Sequence, residues 1–250
     1  MTEAFAAIDP AKSIVLATRN LGKVLEFERI LEAAKIDIAV LGLRDFPEMP
    51  DVDETGTTFA ENALLKAHQI SEYTGLPALA DDSGLCVDAL GGAPGIFSAR
   101  WSGVHGNDEA NLKKVLSEMK DLGNPDRSAR FRCAVALVIP ASHPAGAHQI
   151  VREGEMTGEL VFAPRGTNGF GYDPIFQPTG YTQTSAELSS DEKDAISHRA
   201  HALHAILPEV TRLIALDTSL KYAWITLKFN LSKVRFSYRQ DPSRSTNDRI

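Results

Sequence analysis

The sequence is poor in the residues that staple, anchor or target a chain. It has only two cysteines, Cys86 and Cys133, both in apolar surroundings (GLCVD and FRCAVAL) and without the paired spacing that zinc sites and disulfide frameworks use. No stretch approaches the roughly 18 apolar residues of a membrane span. The opening segment MTEAFAAIDPAKSIVLATRN carries acids early and only a five-residue apolar run, so it lacks the charge and length of a signal peptide. Positive charge is scarce as well: a net charge of −7 argues against a broad surface that holds nucleic acid by neutralising many phosphates. The pattern G-x-x-x-x-G-K-[ST] occurs nowhere, which disfavours a Walker-type ATPase or kinase. These absences lead to the expectation of a soluble, cytoplasmic protein with reduced thiols and with neither nucleic acid nor membrane as a partner.

What is present is enough apolar side chain to fold. In 250 residues, 43% are hydrophobic, which suffices to bury a core. SIVLAT (13 to 18) reads as a strand and a tight loop, after which Val24, Phe27, Leu31 and Ala34 recur at helical spacing. A second strand is expected near Ile38 to Leu41. The acidic loop DFPEMPDVDETG then leads into a helix bearing Phe59, Ala63, Ala67 and Ile70 on one face, with Asn62 and Lys66 four apart on a shared edge. LPALADDSGLCVDAL reads as two short strands around a charged turn, GGAPG as a loop, and Asn107 to Lys120 as a helix with an Asn-and-acid start. ARFRCAVALVIP is the longest strand signal and QIVREGEMTGELVF its partner, so a mixed sheet with an antiparallel portion is expected. SSDEKDAISHRAHALHAIL is expected to close the fold as a Ser-capped helical segment, kinked or stopped at Pro208. There is no internal repeat.

Three groups of residues carry candidate chemistry. Thr18, Asn20 and Lys23 fall where a strand turns into a helix, and free backbone N–H groups and the helix dipole favour an anion there. By spacing alone an ordinary capped helix with a solvated Lys23 is the favoured reading. Asp81 and Asp82 follow an apolar run, at what reads as the carboxyl end of a strand, with Glu54 in the acidic loop as a second hard-oxygen ligand for the same metal. Neighbours on a strand point to opposite faces, so at most one of the two aspartates faces a shared site. A solvated surface turn is the bland alternative. FGYD (170 to 173) pairs an aromatic face with a carboxylate, as a base pocket does, or forms a core strand with buried Phe170 and Tyr172. Ser197, His198 and Arg199 add consecutive hydrogen-bonding groups before an apolar helix, and no Ser, His and acid spacing points to nucleophilic catalysis.

Taken together, TRNLGK, ETGTTFAENALLKA, ADDSGL, GGAPGIFSARWSG, GTNGFGYDPIF and EKDAISHR, in that order between Ser13 and Leu213, resemble the inosine triphosphate pyrophosphatase family, also called XTP/dITP diphosphatases. The resemblance implies an elongated, two-lobed α/β fold, with a central mixed β-sheet flanked by helices and an active-site cleft between the lobes. It also implies a homodimer and Mg²⁺-dependent release of pyrophosphate from (d)ITP and XTP. Carried over by position, Thr18, Arg19, Asn20, Leu21, Gly22 and Lys23 resemble the triphosphate loop and Lys66 a further phosphate-facing lysine. Glu54 and Asp82 match the metal-binding acids, Asp82 also the proton acceptor, and Ser83 a substrate contact. Phe170, Gly171, Tyr172 and Asp173 resemble the base-binding segment, with Lys193, His198 and Arg199 as the remaining substrate contacts. On this reading Lys23, Lys66 and Lys193 offset phosphate charge together. A related enzyme acting on modified pyrimidine or canonical triphosphates is the chief rival.

The resemblance divides the chain into an N-terminal extension (1–12), a pyrophosphatase domain (13–216) and a basic tail (217–250). The tail carries seven Lys or Arg against three Asp, unlike the acidic remainder, and looks disordered at its end.

Overall fold

The computed structural model describes residues 8–19, 21–123 and 125–213, so the expectations for the basic tail and for Asn20 lie outside the described residues. Six strands form one sheet in the order β2-β1-β3-β4-β5-β6: β1 (Ser13–Leu16), β2 (Ala39–Gly42), β3 (Ala78–Val87), β4 (Ser128–Ile139), β5 (His148–Leu160) and β6 (Phe176–Pro178). β1 runs parallel to β2 and β3, and every later pairing is antiparallel. The expected mixed sheet is therefore present.

Helix α1 (Leu21–Ala33) buries Phe27 and Leu31, as the spacing predicts. α2 (Phe59–Thr74) is capped by the Thr58 hydroxyl, which accepts from the Glu61 N–H. It ends at Gly75, whose left-handed φ of 70° only glycine adopts without strain. α3 (Asp108–Asp121) starts at an Asn107 cap. The expected single closing segment is two helices: α4 (Ser190–Ile196) opens with a Ser189–Glu192 capping box, and Ser197 caps a further helix, α5, over residues 198–213. α5 does not stop at Pro208. The missing N–H forfeits one backbone bond, but Ala202, Leu203, Ile206, Val210 and Leu213 on its inner face are buried, and that burial carries the helix through.

One expectation is corrected outright. Residues 78–87 are a single ten-residue strand, not two strands around a charged turn, and it pairs with β4 from Ala78↔Val138 to Val87↔Ala129. Asp81 and Asp82 thus lie within the strand, not at its carboxyl end. The strand passes through them because each carboxylate finds cations or donors on its own face, so no solvated turn is needed.

The alternation along β3 also separates two lobes. On one face Leu79 joins a core with Ile14, Phe27, Val135 and the α5 residues, while Leu85 and Val87 join a second core with Val115, Met119, Phe131 and Ile175. Between Leu79 and Leu85 on that face stand Asp81 and Ser83, so the seam between the lobes is polar. The opposite face is covered by α2 through methyl groups: Ala63 and Ala67 of the helix meet Ala80, Ala134 and Ala136 of the sheet. Small side chains let the α2 backbone approach closely, which brings its polar edge to Asp82.

Candidate active site

Strand β3 is the floor of the site, and its two aspartates serve opposite faces. Asp81 accepts from Lys23 Nζ at 3.2 and 3.0 Å and from Arg199 Nε at 3.2 Å, joining the first turn of α1 to the first turn of α5. Asp82, on the α2 side, accepts from Asn62 Nδ2 at 3.0 Å and from the Ser83 N–H at 3.1 Å, and its Oδ1 lies 3.5 Å from Lys66 Nζ. Lys66 Nζ also donates to Glu54 Oε1 at 2.9 Å, and Arg100 reaches the other oxygen of Glu54 at 3.5 Å. Glu54 and Asp82, distant in sequence, thus share one ammonium.

Burial and charge set different protonation for these acids. Burial would raise Asp81, but Lys23 and Arg199 outweigh it and hold the carboxyl well below the usual carboxylate range. Burial would likewise raise Glu54, and Lys66 with Arg100 lower it instead. Asp82 goes the other way: burial pushes it up, Lys66 only partly opposes this, and the Glu54 charge adds to the rise. Of the three, Asp82 is the one whose proton affinity is increased, as a general base requires.

Two cavities open beside these residues. The first, about 780 Å³, is lined by Thr18, Arg19, Lys23, Glu54, Lys66 and Arg100 among others. Arg19 is braced there, donating to the Met49 carbonyl at 2.8 Å and facing Asp51 at 3.5 Å. Leu21 is exposed and, with Gly22, belongs to α1. The second cavity, about 210 Å³, is lined by Ser83, Phe170, Asp173, Lys193, His198 and Arg199 among others. Lys193 lines the second cavity with the aromatic segment, whereas Lys23 and Lys66 line the first together with Arg100.

Within FGYD the four residues differ in what they do. Phe170 is 59% exposed, with Lys193 Nζ 5.0 Å from its ring centroid. Asp173 is buried and holds the loop, accepting from the Phe170 N–H at 2.9 Å and from Lys193. The Gly171 N–H donates to Asp108 at 2.8 Å, and the Tyr172 hydroxyl donates to the Ser98 carbonyl at 2.8 Å. His198 stacks on Phe131 at 4.9 Å, and its Nδ1 is buried with no hydrogen-bond partner among the described residues. Gly154 on β5 makes this packing possible, since a Cβ there would collide with the His198 carbonyl.

The sequence model of the Ham1 family matches residues 14–209. The chain belongs to the Ham1 family. A protein of Streptomyces avermitilis named dITP/XTP pyrophosphatase is 55% identical over 201 residues, covering 80% of this chain and 98% of that protein. One of the same name from Bacillus licheniformis is 52% identical over 192 residues, covering 77% and 94%. The solved structure of a HAM1 protein from Coxiella burnetii superposes with a TM-score of 0.73 at 42% identity, covering 80% of this chain and 98% of that one.

In this Ham1 chain the geometry adds residues that motif matching left without a role. Asp81 ties Lys23 to Arg199 across the seam between the lobes. Arg100 lies inside the quoted segment GGAPGIFSARWSG, and only the fold shows that it reaches Glu54. Glu26, one turn beyond Lys23 on α1, lines the second cavity, and burial raises its carboxyl.

His198 of this Ham1 fold supplies a pH signature. Burial, then Arg199 and Lys193, push its imidazole well below the ordinary 6.5. As pH falls through that value the unfolded chain takes up a proton that the folded chain refuses. The unfolded state then binds more protons, so stability is lost as pH is lowered and regained as it rises, by at most about 1.4 kcal/mol per pH unit. His198→Asn is expected to remove that component, seen as a flatter dependence of urea-unfolding free energy between about pH 7 and about pH 5. An unaltered slope would assign the effect to other groups.

Proposed function

We propose that this protein hydrolyses non-canonical purine nucleoside triphosphates (dITP, ITP and XTP) to the monophosphate and pyrophosphate with Mg²⁺ as cofactor, cleansing the nucleotide pool. The observation that carries the reading is the shared ammonium: Lys66 Nζ stands between the carboxylates of Glu54 and Asp82, within 3.5 Å of both. A site that already holds one cation between two hard-oxygen acids suits a divalent ion. Among the described residues no three His, Cys, Asp or Glu side chains gather into a metal cage. Two carboxylates are what Mg²⁺ uses when substrate phosphates and water complete its shell.

Glu54 and Asp82 would hold the ion, which when bound supplies positive charge to phosphate oxygens. Lys23, Lys66 and Arg100 line or border the larger cavity and face the triphosphate, offsetting charge that builds as water attacks the α-phosphorus. Asp82 would orient or deprotonate that water. Phe170 offers its exposed face to the base. Donors from the Ser197 to Arg199 turn, which borders the second cavity, would donate to a keto oxygen at position six and leave the amino group of adenine facing unpaired donors. No covalent intermediate is required.

Self-association into a homodimer is part of the proposal. That part rests on the family resemblance; in the groove of about 750 Å³ on the α2 side of the sheet, Arg130 and Arg132 are paired within the chain with Asp88 and Glu153. Among the described residues no helix is long and apolar enough to cross a membrane.

Pyrophosphate release from dITP, XTP, dGTP, dATP and dTTP, with and without Mg²⁺, tests the reading. Hydrolysis confined to dITP and XTP and dependent on Mg²⁺ is expected; preference for dTTP or dATP would overturn it. In the same assay Phe170→Ala is expected to raise KM for dITP about tenfold with kcat little changed, the loss of one stacking face. An unchanged KM would remove Phe170 from the pocket.

A further inference from the structure

Asn62 is a polar side chain with no solvent exposure, in the first turn of α2 on the edge beside its alanine-lined face. Such burial is costly unless both ends of the amide are used. Both are. The amide nitrogen donates to Asp82 Oδ2 at 3.0 Å, and the carbonyl accepts from the Gly56 N–H at 2.8 Å. Gly56 lies two residues beyond Glu54 on the acidic loop, so one side chain spans the two segments that bear the two acids. One helical turn later, Lys66 touches the same pair.

The two contacts differ in kind. Lys66 brings charge, and its ammonium sits between the oxygens that a metal would take. Asn62 brings none, and it engages Asp82 only at Oδ2. Asp82 Oδ1 is left to the Ser83 N–H and to the side where Lys66 and Glu54 stand. A neutral donor on one oxygen fixes the plane of a carboxylate without competing for its other oxygen.

We propose that Asn62 is a positioning residue for the reaction: it sets the carboxylate plane of Asp82 and, through the Gly56 N–H, the separation of Asp82 from Glu54. The assignment rests on the functional reading above, in which those two acids hold the divalent ion.

Two variants of the full chain test it, each first shown to be folded by a cooperative thermal transition. Asn62→Ala removes the strut. Gly56→Ala keeps every functional side chain but places a methyl 2.6 Å from Asn62 Oδ1 and 2.7 Å from the Glu61 Cβ, which forces the loop off the strut. Both are expected to lower kcat for dITP about 10- to 100-fold while KM stays within about threefold. Both should also weaken Mn²⁺ binding to the protein alone about tenfold, read from the free-ion paramagnetic resonance signal. A purely structural asparagine would lower the melting temperature and leave kcat and Mn²⁺ affinity as in the wild type. That result in either folded variant overturns the proposal, and should Asn62→Ala fail to fold, Gly56→Ala decides alone. Failure of the functional reading is a separate outcome, because it would appear as a wild-type protein inactive on dITP and XTP, while the Mn²⁺ comparison still measures the strut.

Discussion

Asp82→Asn is expected to lower kcat for dITP by about two to four orders of magnitude while the protein remains folded. Asparagine has the shape of aspartate, and its oxygen can keep the bond from Asn62 Nδ2. What it cannot do is take a proton from water or bind a hard cation through a second anionic oxygen. Its amide nitrogen would also face Lys66 and the Ser83 N–H, two donors with no acceptor between them. The cost of that mismatch is local and small beside the lost chemistry. Pyrophosphate release at saturating Mg²⁺, beside a melting curve, separates the two effects. A folded variant turning over at the wild-type rate would remove Asp82 from catalysis.

Asp81→Ala is expected to act on stability first, by about 3 to 5 kcal/mol in urea unfolding, because it strands a buried cation. The Arg199 side chain is only 11% exposed, and Asp81 is its ion-pair partner as well as that of Lys23. Taking the carboxylate away leaves a guanidinium inside the lobe seam without compensation. Asp81→Asn, which preserves an acceptor, should lose clearly less, and that difference distinguishes a charge effect from a packing effect. A loss below about 1 kcal/mol for the alanine variant would mean that water or another acid satisfies Arg199.

These two aspartates show where the sequence is legible and where it is not. The helices announce themselves through spacing and caps: Phe27 and Leu31 on α1, Thr58 and Gly75 at the ends of α2, Asn107 before α3. The order of strands β4 and β5 follows from their length and alternation. Asp81 and Asp82 were misread as a turn because two adjacent charges inside a strand are costly in isolation. Their compensation comes from Lys23, Lys66 and Arg199, which lie far away along the chain. No local pattern reports such pairs. The same holds for Arg100 and Asn62, each part of a quoted motif but without a role until the fold supplies its partner. At Pro208 the stop is absent, since the buried face of α5 carries the helix past a strong local breaker.

The seam of alanines between α2 and the sheet has a consequence for how this protein tolerates heat and change. A methyl group has no side-chain torsion, so no rotamer exchange among Ala63, Ala67, Ala80, Ala134 and Ala136 alters the gap they define. Along these five alanines the helix carrying Asn62 and Lys66 is gauged by methyl groups fixed to the backbone. Side chains elsewhere can begin to hop on warming while that gauge keeps its reading, and a single added methylene along the seam would shift it without touching any reacting group.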